Sequence, residues 1–331
     1  MRRRALLDLF PWPALCALVV SACAAPGAPP SASASSPPDA ATAAPVAPAV
    51  RREERTFTAN GVALWYEVRG EKGGTPLIAV NGGPGFDHTY MLASDVWDTL
   101  SRRRPVVLYD QRGTGRSEPY SPARPHSLAD HVADLEALRA DLGAEKVDFV
   151  GHSWGGYLGL AYAIQHPRRT DHLVLCNSAA PRWNDTLFLF EALYPDAMER
   201  HARLEALRTG GDQAAGQAAI RELLGTLFVS PAKKEEFLKK NEGIRFNHAM
   251  NQALESTIAN HDMWPAVREL TVKTLVLAGR FDANVGPQTA WKIHKAIAGS
   301  RAHIFEQSGH FPFVEEPERF VEVVEAFLDG R

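Results

Sequence analysis

A single serine lies within a glycine-rich turn, and this turn constrains the fold more than any other stretch of the chain. Residues 147–152 form a short apolar run typical of a buried strand, and residues 156–165 show the pattern of a helix. Between them the sequence reads Gly-His-Ser-Trp-Gly-Gly, with Ser153 flanked by a glycine two residues away on either side. A strand that turns abruptly into a helix has no room for bulky neighbours, and it lifts the serine oxygen clear of the sheet. The pattern predicts a nucleophilic serine, and a glycine-rich turn without chemistry is the alternative.

Apolar strand-like segments alternate with helix-like segments over most of the chain. The predicted strands are 76–81, 105–110, 147–152, 172–177, 272–278 and 302–305, and the predicted helices are 127–142, 156–165, 288–298 and 316–328. A β-hairpin at 55–68, turning at Asn60-Gly61, precedes them. Such alternation is typical of a parallel sheet covered on both faces. The predicted fold class is therefore α/β, with a core formed by residues 55–180 and 266–331.

One long segment interrupts the alternation. From residue 181 to residue 265 the pattern is mainly helical, rich in charge and without a strand. Ligands of parallel sheets bind at the carboxyl ends of the strands. We therefore expect this segment to form a helical cap over that edge of the sheet.

Two further residues fit the chemistry that a serine nucleophile requires. A serine hydroxyl needs a base, and the base needs an acid that orients it, in the chain order serine, acid, histidine. Asp282 follows the apolar run that ends at Ala278, and His310 lies in the loop after the last short strand. Taken alone, Asp282 fits a turn or a helix cap, and His310 fits an ordinary polar loop. Together, in this order and at strand ends, they predict a catalytic triad with Ser153.

Two backbone N–H groups are candidates to hold the oxyanion of a tetrahedral intermediate. One belongs to Trp154, the residue after the serine. The other is expected in the loop after an early strand, which reads Asn-Gly-Gly-Pro-Gly at 81–85. Glycine lets a backbone approach a substrate closely, and Gly83 is the predicted donor. A flexible turn without this role is the alternative.

Three motifs resemble those of the α/β-hydrolase fold and, within it, of the proline iminopeptidase family of serine aminopeptidases. They are Gly-Gly-Pro-Gly at 82–85, Asp-Gln-Arg-Gly-Thr-Gly-Arg-Ser at 110–117 and Gly-His-Ser-Trp-Gly-Gly at 151–156. The resemblance implies a mostly parallel sheet flanked by helices, and a serine hydrolase that removes N-terminal residues, often proline, from small peptides. It also implies structural roles for Asp110 and Arg112, which would tie loops near the site.

The resemblance extends to recognition of the substrate amine, which the family achieves with carboxylates of the cap. A cationic amine in a shielded pocket needs a negative partner. Residues 250–255, Met-Asn-Gln-Ala-Leu-Glu, are similar to a Met-Asn-x-x-x-Glu stretch of some members. This implies that Glu255 is the amine anchor, and a solvated helical glutamate is the alternative. Two departures are Asn81, which replaces a histidine, and Ala283, which stands where some members carry a second amine-binding acid.

Two other functions fit the same residues. An esterase or lactonase would keep the triad and differ only in the cap pocket. A surface-tethered binding protein would use the fold without catalysis, because fold does not fix function. Such proteins usually lose a catalytic residue, and the three triad residues are intact here. Displacement of epoxides or halides is disfavoured, because those enzymes use a carboxylate where Ser153 stands.

The first 54 residues differ in composition from the rest. Met-Arg-Arg-Arg begins the chain, an apolar stretch follows, and Val-Ser-Ala-Cys occupies 20–23. This order is typical of a secretory signal, and its last four residues resemble a bacterial lipobox. We expect a signal peptide at 1–22, lipidation of Cys23, a disordered Ala/Pro/Ser-rich tether at 23–54 and a membrane location facing the periplasm or cell surface. An ordinary cleaved signal and an uncleaved anchor are the alternatives.

Charge and cysteine content disfavour several other classes of function. The 331 residues carry a net charge of −3 without a basic stripe, so binding of nucleic acid is not expected. Of the three cysteines, Cys16 would leave with the signal, Cys23 would carry lipid and Cys176 lies in an apolar strand, so no disulfide is predicted. No Cys/His cluster has the spacing of a zinc site. We expect a small peptide, amide or ester as substrate, and neither a metal nor a cofactor.

Overall fold

One eight-stranded sheet organises the part of the chain that the computed structural model describes, residues 49–124 and 126–331. The strands are β1 (Arg52–Ala59), β2 (Val62–Arg69), β3 (Leu77–Val80), β4 (Val106–Tyr109), β5 (Val147–His152), β6 (Thr170–Cys176), β7 (Lys273–Gly279) and β8 (Arg301–Phe305). Their order across the sheet is β1-β2-β4-β3-β5-β6-β7-β8. The pairs β1/β2 and β2/β4 are antiparallel, and every other neighbouring pair is parallel. The predicted α/β class with a mostly parallel sheet is confirmed.

Helices cover both faces of this sheet. The core helices are α1 (Val96–Ser101), α2 (Leu128–Asp141), α3 (Trp154–Gln165), α10 (Pro287–Ala296), α11 (Pro312–Glu315) and α12 (Pro317–Leu328). Side chains of β3 alternate between the faces: Ile78 and Val80 pack with α2, α3 and α10, whereas Leu77 and Ala79 pack with α1 and α12. This period-2 alternation in fully buried strands explains why their sequences are continuously apolar.

Six helices between β6 and β7 form the cap. They are α4 (Phe190–Leu193), α5 (Pro195–Thr209), α6 (Gln213–Gly225), α7 (Pro231–Lys240), α8 (His248–Ile258) and α9 (Trp264–Arg268). The cap has no separate apolar core: Phe228 and Phe237 stack on Phe311 of the core, at ring-centroid distances of 4.9 and 4.8 Å. Leu254 of α8 joins the apolar cluster on the opposite face of the sheet. The helical cap therefore packs against apolar clusters on both faces of the sheet.

Several element boundaries differ from the predicted ones. β1 begins at Arg52, before the predicted start of the fold at residue 55, because polar residues of β1 pair with Arg69 and its neighbours without an apolar pattern. Helix α1 and a 3-10 helix at His88–Ala93 were not predicted, since one or two turns give too short a period to recognise. Ser127 caps the predicted helix α2, and its side chain and Asp130 form a reciprocal capping box.

The predicted signal peptide, lipidation site and tether lie almost entirely outside the described residues, which begin at residue 49. Cys176 is described, and it is buried at the end of β6, as predicted. No helix within residues 49–124 and 126–331 combines the length and apolar character needed to cross a membrane.

Candidate active site

The turn between β5 and α3 holds Ser153 in a backbone conformation that few residues adopt. Its φ is 56° and its ψ is −120°, and strain of this kind is typical of functional turns. Neighbouring glycines make the turn possible. A Cβ at Gly151 would lie 2.3 Å from the Gly155 carbonyl oxygen, and one at Gly155 would lie 2.1 Å from the Val80 carbonyl oxygen. Gly151 is therefore required by close packing within the turn, and Gly155 by the close contact of the turn with β3.

Asp282 and His310, from the loops after β7 and β8, meet beside this turn. Nδ1 of His310 lies 2.8 Å from Oδ2 of Asp282, and their exposed fractions are 3% and 1%. The N–H groups of Asn284 and Val285 donate to Oδ1 of Asp282 at 2.8 and 2.9 Å. A carboxylate only accepts hydrogen bonds, so Nδ1 of His310 carries the proton and Nε2 is left as the basic nitrogen.

Asn177 completes the environment of Asp282 and was missed in the sequence. Its side-chain amide donates to Oδ2 of Asp282 at 2.5 Å and to the carbonyl oxygen of Gly309 at 3.3 Å. It follows β6 directly and has a φ of 47°, a conformation that asparagine tolerates better than most residues. Its position after a parallel strand is the one sequence signal that could have identified it.

The basic nitrogen of His310 faces the cavity that also contains Ser153. There it accepts a hydrogen bond from the Asn284 side-chain amide, at 3.1 Å. Among the described residues, the Ser153 hydroxyl forms no hydrogen bond. Proton transfer from Ser153 therefore requires His310 to exchange Asn284 for the serine, and triad contacts commonly tighten only when substrate binds. Asn284, too, was not identified from sequence.

Both predicted oxyanion donors lie beside Ser153. The N–H groups of Gly83 and Trp154 have no backbone acceptor among the described residues, so both remain available to a ligand. The indole N–H of Trp154 donates to Gln111 at 2.8 Å, and the Gln111 amide donates to the carbonyl oxygen of Asn81 at 2.9 Å. Asn81, which replaces a family histidine, donates in turn to the Phe86 carbonyl oxygen at 2.7 Å. Its amide closes the oxyanion loop on itself.

Asp110 and Arg112 support the loops around the site, as predicted. Asp110 accepts hydrogen bonds from the His88 backbone N–H at 3.0 Å and from the Arg116 N–H at 2.8 Å. Arg112 is 1% exposed and pairs with both carboxylate oxygens of Asp134, at 2.6 Å each. Bidentate pairing of this kind fixes geometry as well as charge. Neither Asp110 nor Arg112 lines the cavity that contains Ser153.

A cavity of about 450 Å³ separates Ser153 from the cap. Its volume is typical of sites for small molecules. One side of it is apolar, formed by Phe86, Leu224, Leu227, Ile244, Phe246 and Phe311. Gly83, Ser153 and His310 form part of its floor. The cavity therefore presents the candidate chemistry to an apolar group of limited size.

Glu255, the predicted amine anchor, lies on α8 and lines the same cavity. The Asn251 side-chain amide donates to the Pro84 carbonyl oxygen at 3.0 Å and to Oε1 of Glu255 at 3.3 Å. Asn251 thus connects the oxyanion loop with the carboxylate. The side chain of Glu255 is exposed, and its role as an amine anchor stays a prediction.

A second carboxylate of the cap, Glu205 on α5, also lines the cavity and was missed in the sequence. Its Oε2 accepts a hydrogen bond from Arg208 at 2.8 Å. Its Oε1 is buried and has no hydrogen-bond partner among the described residues. A buried carboxylate oxygen without a donor is costly, and a cationic ligand would satisfy it. Nothing in the charge-rich helical pattern of α5 distinguishes this glutamate from its neighbours.

One group of side chains in the described chain has the proximity of a metal site: Asp148, Asp171 and His172. It lies at the amino ends of β5 and β6, opposite the cavity. Arg104 pairs with Asp148 at 3.5 Å, and Lys273 lies 3.4 Å from the His172 ring. Protein cations already neutralise this group, so we assign it no metal.

Comparison with known proteins supports the same interpretation of the fold. The family model described as the alpha/beta hydrolase fold matches residues 75–317. A proline iminopeptidase from Heyndrickxia coagulans is 31% identical over 270 residues, which cover 78% of this chain and 92% of the relative. A proline iminopeptidase from Saccharolobus solfataricus is 29% identical over 281 residues, which cover 81% of this chain and 90% of the relative.

A solved structure extends the comparison to another activity. The enol-lactonase from Burkholderia xenovorans LB400 superposes with a TM-score of 0.65 at 25% sequence identity. The match covers 83% of this chain and the whole of the lactonase chain. The same scaffold therefore carries ester chemistry in another protein.

Proposed function

This chain belongs to the proline iminopeptidase family of α/β hydrolases, and from that premise we infer that it is a serine hydrolase that removes N-terminal residues from small peptides or amides. One observation carries the proposal: Ser153 and His310 line the same cavity as two cap carboxylates, Glu205 and Glu255. A site for neutral esters has no need for carboxylates in the same cavity as the nucleophile. A site for substrates with a free, cationic amine does need them.

The arrangement supports an acyl-enzyme mechanism. The Ser153 hydroxyl attacks the substrate carbonyl carbon while Nε2 of His310 takes its proton. Asp282 stabilises the resulting imidazolium, and the N–H groups of Gly83 and Trp154 hold the oxyanion. His310 then protonates the departing amine. A water molecule deprotonated by His310 hydrolyses the acyl-enzyme and releases the N-terminal amino acid.

We propose that the substrate ammonium binds between the two cap carboxylates. Oε1 of Glu205 lacks a donor within the described chain, and Glu255 is oriented by Asn251. Some family members carry a second amine-binding acid at the position of Ala283, and Glu205 would supply that negative charge here. The apolar wall that includes Phe246 and Phe311 then receives the side chain of the N-terminal residue, for which the compact ring of proline is well suited.

The test compares arylamides and esters with the full-length protein and with Ser153→Ala. Proline and alanine p-nitroanilides are expected to be hydrolysed, and the substitution is expected to reduce kcat by about 10⁴-fold or more. The ratio of the proline rate to the alanine rate measures how far the family preference applies. Arylamide turnover that survives Ser153→Ala would contradict the proposed nucleophile.

A second candidate function is hydrolysis of small esters or lactones. It is favoured by the likeness to the enol-lactonase and by the largely apolar cavity wall. Turnover of p-nitrophenyl acetate and butyrate without arylamide turnover would select it. The triad assignment would then stand, and the amine site would not.

We further propose that the chain is exported and anchored through lipid on Cys23. The proposal rests on the basic start, the apolar stretch and the Val-Ser-Ala-Cys pattern at 20–23. Two or more acyl chains would anchor it firmly, whereas one would not. Metabolic labelling with an alkyne fatty acid in a bacterial host tests this: Cys23→Ser should abolish the label and Cys16→Ser should retain it. A wild-type chain that takes up no label would refute the anchor.

A further inference from the structure

Tyr90 and His152 form a buried polar connection beneath the oxyanion loop. The Gly82 N–H donates to the Tyr90 hydroxyl oxygen at 2.5 Å. That hydroxyl lies 2.7 Å from Nδ1 of His152, and Nε2 of His152 lies 2.8 Å from the carbonyl oxygen of His310. The connection thus begins next to the predicted oxyanion donor Gly83 and ends on the backbone of the catalytic histidine.

The direction of every hydrogen bond in this connection follows from its end point. A carbonyl oxygen only accepts, so Nε2 of His152 must carry a proton. Burial, and then the nearby His310, hold the pKa of His152 well below its usual range, so the ring is neutral and Nδ1 is an acceptor. Tyr90 therefore donates to Nδ1, and its oxygen accepts from Gly82. One tautomer of His152 satisfies all three contacts.

The surroundings offer few other partners for these contacts. Tyr90 and His152 are buried at the edge of the cavity, and the ring centroids of Phe311 and Phe313 lie 5.3 and 5.1 Å from that of His152. A buried polar group that loses its partner carries a desolvation penalty. The geometry is also tight at the glycine end, where a Cβ on Gly82 would lie 3.0 Å from both the Tyr90 hydroxyl and the Ser153 Cβ.

The connection also decides which N–H of the loop can serve the reaction. The Gly82 N–H is occupied by Tyr90, whereas the Gly83 N–H has no acceptor in the described chain. Moving Gly82 would move Gly83 with it, because the two share a peptide bond. Likewise, the His310 carbonyl lies on the same residue as the base. The side chains of Tyr90 and His152 therefore link the position of the Gly83 N–H to the position of His310.

We propose that Tyr90 and His152 are positioning residues that hold the Gly83 N–H and the His310 ring in reactive geometry around Ser153. The proposal rests on the proposed serine-hydrolase function and adds two residues that act through the Gly83 N–H and the His310 ring. Interactions that matter only when the oxyanion forms lower kcat when they are lost and leave KM nearly unchanged. The connection is expected to behave in this way.

Four variants of the full-length protein test the connection. His152→Leu and Tyr90→Phe remove polar atoms and should lower kcat for proline p-nitroanilide by about 10- to 100-fold, with KM within about twofold. His152→Gln retains one donor and one acceptor and should recover most of the lost kcat. Tyr90→Phe combined with His152→Leu should cost little more than either alone, because both break the same connection.

Matched controls separate positioning from stability. Tyr162→Phe removes a buried hydroxyl that donates to Glu136 at 2.6 Å, and His172→Gln alters a buried histidine that contacts Asp148 at 2.9 Å. Both lie away from the cavity, so kcat should stay at the wild-type value even where Tm falls. The ¹⁵N spectrum of His152 should show a neutral ring protonated at Nε2, independently of any turnover.

The outcomes separate this proposal from the proposed function. Wild-type protein that hydrolyses neither arylamides nor esters would refute the function, and the ¹⁵N spectrum would still decide the tautomer. If only esters are hydrolysed, the same variants are compared on p-nitrophenyl acetate, since the connection serves acyl transfer and not amine binding. Unchanged kcat in His152→Leu, a His152→Gln variant as impaired as His152→Leu, or a ring protonated at Nδ1 would each overturn the proposal.

Discussion

Two glutamates from different cap helices contribute negative charge to one cavity, and each can be tested by a change of one atom. Glu255→Gln and Glu205→Gln should each lower kcat/KM for proline p-nitroanilide by about 10- to 100-fold, the value of a hydrogen bond to a charged group. Turnover of p-nitrophenyl acetate, which has no amine, should change less than twofold. Steady-state kinetics on both substrates measure the difference.

Glu235→Gln is the matched control for both changes. Glu235 lies on α7, is exposed and does not line the cavity, so both substrates should be hydrolysed at wild-type rates. Equal losses on amide and ester in Glu255→Gln would contradict an amine anchor and indicate a structural defect. A loss of kcat/KM for proline p-nitroanilide in Glu205→Gln but not in Glu255→Gln would assign the amine anchor to Glu205 on α5.

At the scale of residues, the sequence predicted the side chains that belong to recognisable motifs. It did not predict the side chains whose roles arise only from contacts in the folded protein. Ser153 is marked by a glycine pattern with a steric cause, and His310 by its place after the last strand. Asn177, Asn284 and Glu205 have no such mark. Asn177 acquires its role because Asp282, more than a hundred residues later, folds against it. A contact between residues so far apart in the chain produces no periodic or local pattern in the sequence.

The turn between β5 and α3 gives a prediction at the scale of elements. Gly155→Ala would place a Cβ 2.1 Å from the Val80 carbonyl oxygen, and the nearest atoms all belong to the backbone of Val80 and Asn81, which cannot rotate away. We expect it to lower the free energy of unfolding by about 3 kcal/mol or more, because overpacking forces the backbone to shift. Denaturant titration of the purified variant measures this loss.

Gly159→Ala on the same helix is the control for that change. Its Cβ would lie 3.4 Å from Leu173 and 3.9 Å from Phe149, which are ordinary contacts. Alanine favours a helix over glycine by about 1 kcal/mol, so Gly159→Ala should be neutral or stabilising. Equal destabilisation by the two substitutions would mean that the close contact with β3 does not determine the glycine at 155.

An ion pair within α2, with an added hydrogen bond from α3, makes stability depend on pH. A hydrogen bond from Arg139, assisted by one from Tyr162, lowers the pKa of Glu136 to about 2. A carboxyl whose folded pKa is depressed stabilises the fold above its unfolded pKa, and this contribution is lost as pH falls towards the folded value. Glu136→Gln should lower Tm by about 2–4 °C at pH 7, after allowance for partial exposure. The gap should close between pH 4.5 and pH 2.

Thermal melts at several pH values, with Glu145→Gln as an exposed control, measure this dependence. The control should follow the wild-type curve throughout. A gap for Glu136→Gln that persists unchanged at pH 2 would contradict the assignment of its charge to the fold. The elements themselves were largely predictable, since α2 repeats apolar residues at helical spacing and β5 is a short apolar run, whereas α1 and α11 are too short to show a pattern.

At the scale of the molecule, one carboxylate joins the cap to the loop that contains His310. Oε1 of Glu315 accepts hydrogen bonds from the Val229 and Ser230 N–H groups at 2.8 and 2.9 Å. Its Oε2 accepts one from the Gly309 N–H at 2.6 Å. Next to it, the His310 N–H donates to the Leu227 carbonyl oxygen at 2.9 Å. The cap and the base are therefore held by the same few contacts.

Glu315→Ala should release both partners at once. We expect faster amide hydrogen exchange at Val229, Ser230 and Gly309, because local opening exposes unpaired N–H groups, and a kcat lowered by about tenfold. Exposed Glu318 on α12 is the control, and Glu318→Ala should leave exchange at these amides unchanged. Slow exchange in Glu315→Ala would show that the cap is secured by its aromatic packing alone. The sequence could not predict this coupling, which joins segments far apart in the chain.

The small roofed cavity also determines which molecules reach the serine at all. A space of about 450 Å³ lined by residues of α5, α6 and α8 has room for a short peptide and not for a folded domain. An aminopeptidase of this shape suits short fragments, so its turnover would depend on the supply of such fragments from other proteases. In a mixed digest, the shortest chains would disappear first, whatever their composition beyond the terminal residue.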